Sequence, residues 1–121
     1  MNRFSSHSLK ALKSCDPRLI EIMTMALKEY DFSVLCGYRN EHDQNEAFDN
    51  GYSKLKFPKS MHNRYPSLAV DVAPYPINWK NEVAFCELSQ IIKRIAEELM
   101  IPIQWGGDWS RFVDLPHYEL K

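Results

Sequence analysis

Apolar residues recur with a helical period in two stretches of the chain. The first opens at Asp16-Pro17, an N-cap carboxylate followed by proline at the first helical position, and continues to about Tyr30. The second runs from about Asn81 to Met100. Its predicted buried stripe consists of Val83, Cys86, Ser89 or Gln90, Ile91, Ile95 and Leu99.

A shorter and more polar helix is predicted from the residues at its two ends. Asn40 is a good N-cap, Asp43 follows three residues later, and Gly51 is a typical stop. The residues from Met1 to Ser14 are polar and mildly basic, without an apolar segment. We therefore expect an N-terminus that includes His7 to lack regular structure and to carry no signal peptide.

Four short segments have the character of strands. Phe32 to Cys36 is apolar, and Leu68 to Ala73 alternates so that Asp71 shares one face with two alanines. Ile101 to Trp105 and His117 to Leu120 follow near the C-terminus.

The order of helices and strands predicts an α+β fold with helices packed on a small, mainly antiparallel sheet. There are too few crossovers for a doubly wound sheet. No repeat or linker divides the chain, so residues 1–121 are expected to form a single domain. Residues 52–67 show no period and contain Pro58 and Pro66. A loop of this length in a compact domain is usually functional.

Charge and cysteine content narrow the possible functions. The chain has 15 Lys and Arg against 16 Asp and Glu, a formal net charge of −1. This balance does not fit a nucleic-acid binder or a membrane-surface protein, and no stretch suits a membrane span. The three cysteines, Cys15, Cys36 and Cys86, are odd in number, far apart and form no Cys-x-x-Cys motif, which argues against a disulfide framework or a thiolate zinc cluster. Small buried hydrophobes are the simpler interpretation.

Two histidines and an aspartate form the most informative constellation. Asp71 is an ionisable residue within an apolar strand, and a buried carboxylate must be paired or bound to a cation. His62 precedes that strand, and His117 begins the last strand, where its side chain can meet Asp71 across the sheet. Two imidazoles and one carboxylate make a zinc set that leaves a fourth position for water, as in catalytic sites.

Two further residues suit hydrolysis beside such a metal. Asp114 lies three residues before His117 and can serve as the general base. Arg39 follows the first strand, where a guanidinium can stabilise an oxyanion.

Each of these residues also has an ordinary structural interpretation. Asp71 could form an ion pair with Arg39 or Arg64, Asp114 could begin a turn, and His117 could be a core histidine. His42 and Glu46 form a second candidate metal-binding pair at helical spacing, but a solvated helix face is the better interpretation. The same interpretation applies to Glu41, Asp43 and Asp49, which could otherwise bind calcium. Trp79, Trp105 and Trp109 could line a substrate groove, with core packing an equal alternative for Trp105.

Motifs spread over nearly the whole chain resemble the zinc D,D-carboxypeptidase and D-Ala-D-Ala dipeptidase (VanY-like) family, which includes phage L-alanyl-D-glutamate endolysins. The matching segments are Gly37-Tyr38-Arg39, Gln44, Gly51, Ser53-Lys54, Ser60-Met61-His62, Ala69-Val70-Asp71, and Asp114 with His117. The chain departs from the pattern in the nine-residue separation of His62 and Asp71, which is longer than usual. We expect this longer loop to bring His62 to the same place.

The resemblance implies a fold, a cofactor and an activity. The fold would be that of the hedgehog-like zinc D,D-peptidases, with one zinc ion held by His62, Asp71 and His117. Asp114 would activate water, Arg39 would stabilise the tetrahedral intermediate, and Ser60 and Gln44 would seat the substrate.

The expected substrate is the peptidoglycan stem peptide, cut at the L-alanyl-D-glutamate bond, with D-alanyl-D-alanine carboxypeptidase as the enzymatic alternative. A zinc-stabilised domain that binds wall peptide or a protein is the non-enzymatic alternative. We also expect a monomer that is made in the cytoplasm, because no signal peptide is visible, and that acts on the cell wall after release.

Overall fold

The computed structural model describes residues 1–121 and has a four-stranded sheet at its centre. The strands are β1 (Phe32–Cys36), β2 (Ala69–Pro74), β3 (Ile103–Trp105) and β4 (His117–Leu120). The helices are α1 (Ser6–Lys13), α2 (Pro17–Leu27), α3 (Glu41–Asp49) and α4 (Glu82–Glu98). The sheet has the order β1-β2-β4-β3, and every neighbouring pair is antiparallel, which confirms the predicted fold class.

One face of the sheet is the apolar core, which α2 and α4 cover. Val34 of β1, Val70 and Val72 of β2, and Tyr118 and Leu120 of β4 all point to this face and are nearly inaccessible to solvent. Burying an aliphatic side chain of this size stabilises a fold by roughly 1.5–3 kcal/mol relative to leaving it exposed. The alternation along each strand thus supplies the main stabilisation of the sheet.

The helix ends confirm the capping signals. The Asp16 carboxylate accepts a hydrogen bond from the Arg18 N–H, and α2 ends at Leu27, a little before the predicted end. The Asn40 side chain accepts from the Asp43 N–H, and α3 is followed by a glycine with φ of +80°. None of the helices combines the length and the apolar character needed to cross a bilayer.

The buried side of α4 differs from the prediction. Its buried residues are Phe85, Leu88, Ser89, Ile92, Ile95 and Ala96. Val83 is 68% exposed and Cys86 is also exposed, so both were wrongly placed in the core. Apolar residues occupy more than one side of this helix, and α2 and the sheet together bury the side that carries Phe85 and Leu88.

The N-terminal segment is helical, so the prediction of an irregular N-terminus containing His7 was wrong. Ser8 on α1 is buried, and its Oγ accepts from the Val34 N–H at 3.0 Å and donates to the Val34 carbonyl at 3.4 Å. Because β1 is an edge strand, this hydroxyl satisfies backbone groups that no neighbouring strand reaches.

The other face of the sheet is polar at its centre. Asp71 of β2 and His117 and Glu119 of β4 point to this face, since they alternate with the core residues of the same strands. The register places Asp71 directly opposite His117, and on its other side opposite Cys36 of β1, next to an irregularity in the β1–β2 pairing. The strand pairing therefore assembles most of the polar group.

Candidate active site

The structure brings His62, Asp71 and His117 together, as predicted. A single carboxylate oxygen, Oδ1 of Asp71, lies 3.2 Å from Nε2 of His62 and 3.1 Å from Nδ1 of His117. The two imidazole rings meet edge to face, with their centroids 5.1 Å apart. The three side chains line one wall of an open cleft of about 850 Å³.

A short 3₁₀ turn, Met61–Asn63, positions His62. The Ser60 hydroxyl accepts from the His62 N–H at 3.1 Å, and the Asn63 side chain accepts from the Ser60 N–H at 3.0 Å. The Arg39 N–H donates to the His62 carbonyl at 2.8 Å. The longer loop between His62 and Asp71 therefore delivers the imidazole to the strand, as expected from its sequence.

In each imidazole, the outer nitrogen, which is the one that does not contact Asp71, already has a hydrogen-bond partner. Nδ1 of His62 lies 2.7 Å from the Gly37 carbonyl, and Nε2 of His117 lies 2.7 Å from a carboxylate oxygen of Glu119. Since a carbonyl and a carboxylate can only accept, each of these nitrogens carries the proton of its neutral ring. The inner nitrogens then present lone pairs to Asp71, which also offers only lone pairs.

Three acceptors that converge in this way need a cation or protons between them. Zinc bonds of about 2.0–2.2 Å to nitrogen and oxygen in a tetrahedral site separate neighbouring ligand atoms by about 3.3–3.6 Å. The two separations that involve Asp71, 3.1 and 3.2 Å, are only slightly shorter than that spacing. The hydrogen bonds that hold the outer sides of both rings are the supports that metal-binding histidines usually have. The residues therefore fit a zinc ion.

Without a metal ion, protons supply the positive charge. Burial by itself lowers the pKa of His62, but the Asp71 carboxylate raises it more, to about 10. Burial also opposes charge on His117, while its hydrogen bonds to Asp71 and Glu119 bring its pKa above the usual value. Burial disfavours the charged form of Asp71, yet the facing imidazoles hold its pKa well below the usual range. A metal ion must therefore displace protons when it binds.

Asp114 lies beside this group, with Oδ2 4.0 Å from Nδ1 of His117, and it lines the cleft. Burial and the negative charge of Asp71 raise the pKa of Asp114. Its backbone N–H donates to the Gly106 carbonyl, and its carbonyl accepts from the His117 N–H, so the predicted turn exists. A side chain at Gly106 would collide with the Asp114 backbone. The close approach at this glycine thus sets the position of the carboxylate.

Arg39 also lines the cleft, and it contacts the second oxygen of Asp71 at 3.5 Å. This ion pair is one of the structural alternatives that the sequence left open. The guanidinium is further held by the side-chain oxygen of Gln44 at 2.9 Å.

Gln44 does not line the cleft, contrary to the expectation that it seats the substrate. It is fully buried, and its amide nitrogen donates to the Ser53 hydroxyl and to the Leu55 carbonyl. Its oxygen accepts from Arg39 and Asn63. Gln44 therefore links Arg39 to the loop that follows α3. Ser60, by contrast, does line the cleft, as an expected substrate contact must.

Two residues beside the group were missed. Glu119, which supports His117, shows one sequence signal: it lies two residues further along a strand, and so on the same face. Cys36 offers a thiol within 4.8 Å of ligand atoms of His62 and Asp71. Its sulfur lies 4.0 Å from Nδ1 of His62, the nitrogen that already bonds to a carbonyl. Only the tertiary pairing reveals this half-buried cysteine, which was predicted to be a core residue.

The remaining candidates divide between cleft, core and surface. Trp79 and Trp109 line the cleft, whereas Trp105 is 7% exposed and belongs to the core. The His42 and Glu46 side chains are 3.4 Å apart and largely exposed, which agrees with a solvated helix face. Cys15 is buried as predicted.

Comparison with known proteins gives the chain a family. A family model described as phage L-alanyl-D-glutamate peptidase matches residues 1–120. The L-alanyl-D-glutamate peptidase of Escherichia phage T5 is 33% identical, over 98% of this chain and 89% of its own length. The peptidoglycan L-alanyl-D-glutamate endopeptidase CwlK of Bacillus subtilis (strain 168) is 29% identical, over 78% of this chain and 64% of its own length.

Solved structures agree with these matches. The Serratia marcescens L-Ala D-Glu endopeptidase ChiX shares 28% identity with a TM-score of 0.84, over all of this chain and 90% of its own. The vancomycin-resistance D,D-pentapeptidase VanY, crystallised with Zn(II), shares the fold, with 18% identity and a TM-score of 0.57 over 86% of this chain and 68% of its own. The resemblance predicted from the motifs is confirmed, and the chain belongs to the phage L-alanyl-D-glutamate peptidase family.

Proposed function

We propose that this chain is a zinc-dependent peptidase that hydrolyses the L-alanyl-D-glutamate bond of the peptidoglycan stem peptide, with residues 1–121 as one catalytic domain. The observation that carries this proposal is the approach of one nitrogen from each of two imidazoles to the same oxygen of Asp71 in an open cleft, beside a carboxylate with a raised pKa. Family membership supports the enzyme class and the bond.

His62, Asp71 and His117 would hold one zinc ion. When bound there, zinc supplies Lewis acidity towards water and towards the carbonyl of the scissile bond. The open cleft beside these residues supports a catalytic site, because a structural zinc site has four protein ligands and no room for substrate. The nearby thiol of Cys36 lies against the outer nitrogen of His62 and is not part of this set.

Asp114 would be the general base and then the general acid. Its carboxylate takes a proton from the attacking water and passes it to the leaving amine of the D-glutamyl residue. Both transfers are easier when the pKa lies above that of an ordinary carboxyl, and burial raises the pKa of Asp114 in this way. General acid–base residues of this kind typically contribute about 10²–10⁴-fold to the rate.

Arg39 and Ser60 complete the site as cleft-facing donors. The Arg39 guanidinium would stabilise negative charge on the carbonyl oxygen as water adds. The Ser60 hydroxyl accepts from a backbone N–H, so its own proton is free for a substrate carbonyl. The other guanidinium contacts, to Asp71 and Gln44, hold Arg39 in place for this role.

The partner of this site would be the wall stem peptide, since the relatives are named for peptidases that act on peptidoglycan or on its L-alanyl-D-glutamate bond. We expect a monomer, made in the cytoplasm and acting on the cell wall after release, without contact to nucleic acid and without membrane insertion.

Digestion of purified peptidoglycan by the zinc-loaded protein tests the proposal, with released fragments read by mass spectrometry. The expected fragments carry new L-alanine C-termini and D-glutamate N-termini. Asp114→Asn is the matched control, because it keeps the shape of the side chain and removes the base.

Other outcomes would redirect the assignment. Release of free D-alanine would identify a D,D-carboxypeptidase. Absence of cleavage by a protein that retains zinc would favour the domain that binds wall peptide without cutting it.

A further inference from the structure

The cleft carries three carboxylates beside Arg39 in its inner part and two lysines at its rim. Asp71, Asp114 and Glu119 line its inner part, while Lys54 and Lys59 line it from the loop that follows α3. Neither lysine belongs to any of the salt bridges of the chain. Two lysines without carboxylate partners therefore line the space that a substrate would occupy.

Lys54 is held more firmly than an ordinary surface lysine. Its two chain neighbours, Ser53 and Leu55, both accept hydrogen bonds from the buried amide of Gln44, at 2.9 and 2.6 Å. The same amide, through its oxygen, holds the Arg39 guanidinium at 2.9 Å. One buried side chain thus sets the positions of the Lys54 backbone and of a cleft arginine together.

The ammonium group of Lys54 also has a defined contact. Its Nζ lies 5.2 Å from the centroid of the Phe112 ring, a cation–π contact that reaches across to the loop carrying Asp114. Phe112 has φ of +48°, a left-handed conformation that is costly for a bulky residue and that tends to persist at functional sites. The contact therefore places the Lys54 ammonium beside the loop that carries Asp114, the proposed general base.

The substrate of the proposed reaction carries a charge that needs such a partner. In an L-alanyl-D-glutamyl peptide, glutamate is the amine half of the scissile bond. When it is linked onward through one carboxyl group, the other remains a free carboxylate. Arg39, the arginine of the inner part, already pairs with Asp71 and is assigned to the scissile carbonyl, so this carboxylate needs a cation of its own.

We propose that Lys54, supported by Lys59, binds the free carboxylate of the glutamyl residue and makes the enzyme prefer the ionised carboxylate over a carboxamide. This inference rests on the proposed function and specifies its substrate. A charge-assisted hydrogen bond of this kind corresponds to a preference of about tenfold. The preference should shrink as salt screens the partly exposed charges.

The test compares two synthetic stem peptides that differ only in a glutamyl carboxylate or carboxamide. For the zinc-loaded wild type we expect kcat/KM to be about tenfold higher for the carboxylate peptide. Lys54→Gln should bring this ratio close to one by lowering only the carboxylate value, and Lys54→Arg should retain the preference. Lys56→Gln is the matched control, because the Lys56 ammonium lies over Phe48, 5.0 Å from the ring centroid, and does not line the cleft.

The outcomes separate this inference from the proposed function. Equal hydrolysis of both peptides by the wild type would overturn the carboxylate preference and leave the peptidase intact. An equal loss on both peptides in Lys54→Gln would make Lys54 a support for the loop only. An unchanged ratio in Lys54→Gln would overturn the role of Lys54, and a ratio lost in Lys59→Gln would then assign it to Lys59. Cleavage of neither peptide would contradict the proposed function itself.

Discussion

The two faces of the central sheet differ in chemistry although the same strands build both: one face is apolar and the other is polar at its centre. On β4, Tyr118 and Leu120 are buried in the core, while His117 and Glu119 build the polar group. On β2, the valines flanking Asp71 are likewise in the core. Because neighbouring residues of a strand point in opposite directions, stability and chemistry are assigned to alternate positions only one residue apart.

The two faces also differ in the precision that they require. The free energy of the apolar face depends on the area buried, which is non-directional and tolerates small rearrangements. The polar face depends on separations of 3.1–3.2 Å between ligand atoms whose lone pairs need a proton or a metal ion between them. A mutation on the first face should therefore change stability, and one on the second should change metal binding and catalysis.

His117→Ala should produce the largest effect on the polar face. The variant loses a ligand atom, so zinc and hydrolysis should be lost together, while the fold remains because the neighbouring core residues are unchanged. Zinc content by elemental analysis, activity on peptidoglycan and circular dichroism check this. Full zinc occupancy in the variant would remove His117 from the ligand set.

Asp114→Asn should separate catalysis from metal binding. Activity should fall by about 10²–10⁴-fold, the usual contribution of a general base, with zinc retained. In the wild type, kcat/KM should decline as pH falls through the raised pKa of Asp114, because the base must be ionised. That acid limb should be absent from the residual activity of the variant. Loss of zinc from Asp114→Asn would argue that the carboxylate is a ligand.

Leu120→Ala is the counterpart on the apolar face of the same strand. Leu120 is 4% exposed, and truncation of a buried leucine typically destabilises by about 2–5 kcal/mol. Chemical denaturation should show this loss in the metal-free protein, while zinc affinity and kcat of the folded fraction stay unchanged. A selective fall in zinc affinity would show that the two faces are coupled.

Glu119→Ala should weaken the metal site without removing a ligand. Loss of the partner of a metal-binding histidine usually costs about 10–100-fold in metal affinity. Zinc affinity by competition with a chelating dye measures this, and Glu119→Gln should recover part of it because an amide oxygen can still accept from His117. An unchanged affinity in Glu119→Ala would mean that the ring needs no such support.

Stabilisation by zinc should grow with pH. The pKa of His62 is raised to about 10 in the metal-free protein, so its contribution to stability is complete below about 6.5 and is lost as pH rises towards 10. Zinc must displace this proton, so each proton released makes binding about tenfold tighter per pH unit, or about 1.4 kcal/mol. Melting temperatures with and without zinc at pH 6, 7 and 8 should diverge. A constant difference would contradict the proton displacement.

Helix starts and strand bounds were predicted well where a single short-range feature, such as a capping side chain, determines them. Asp16 and Asn40 cap the helices they were expected to cap, and the bounds of β1 are those predicted. In α4 more than one side is apolar, and the prediction that Val83 and Cys86 are buried was wrong. Packing against α2 and the sheet selects which side is buried.

The central residues of the candidate site could be predicted from the sequence, and the residues that support them could be predicted less well. His62, Asp71 and His117 could be found because a charged residue in an apolar strand needs partners, and few candidates were available. The supporting role of Gln44 could not be predicted. Its side chain makes four hydrogen bonds to residues that are distant along the chain or lie in irregular loops.

The sequence alone determined the alternation of the strands, the helix caps and the identity of the chemical groups, because these depend on residues a few positions apart. The tertiary structure decided which oxygen of Asp71 the imidazoles share, that Glu119 and Gly37 fix the two rings, and that Lys54 faces the cleft. These features rest on contacts of a few ångströms between distant segments. Strand register and loop paths set such contacts, and no local pattern encodes them.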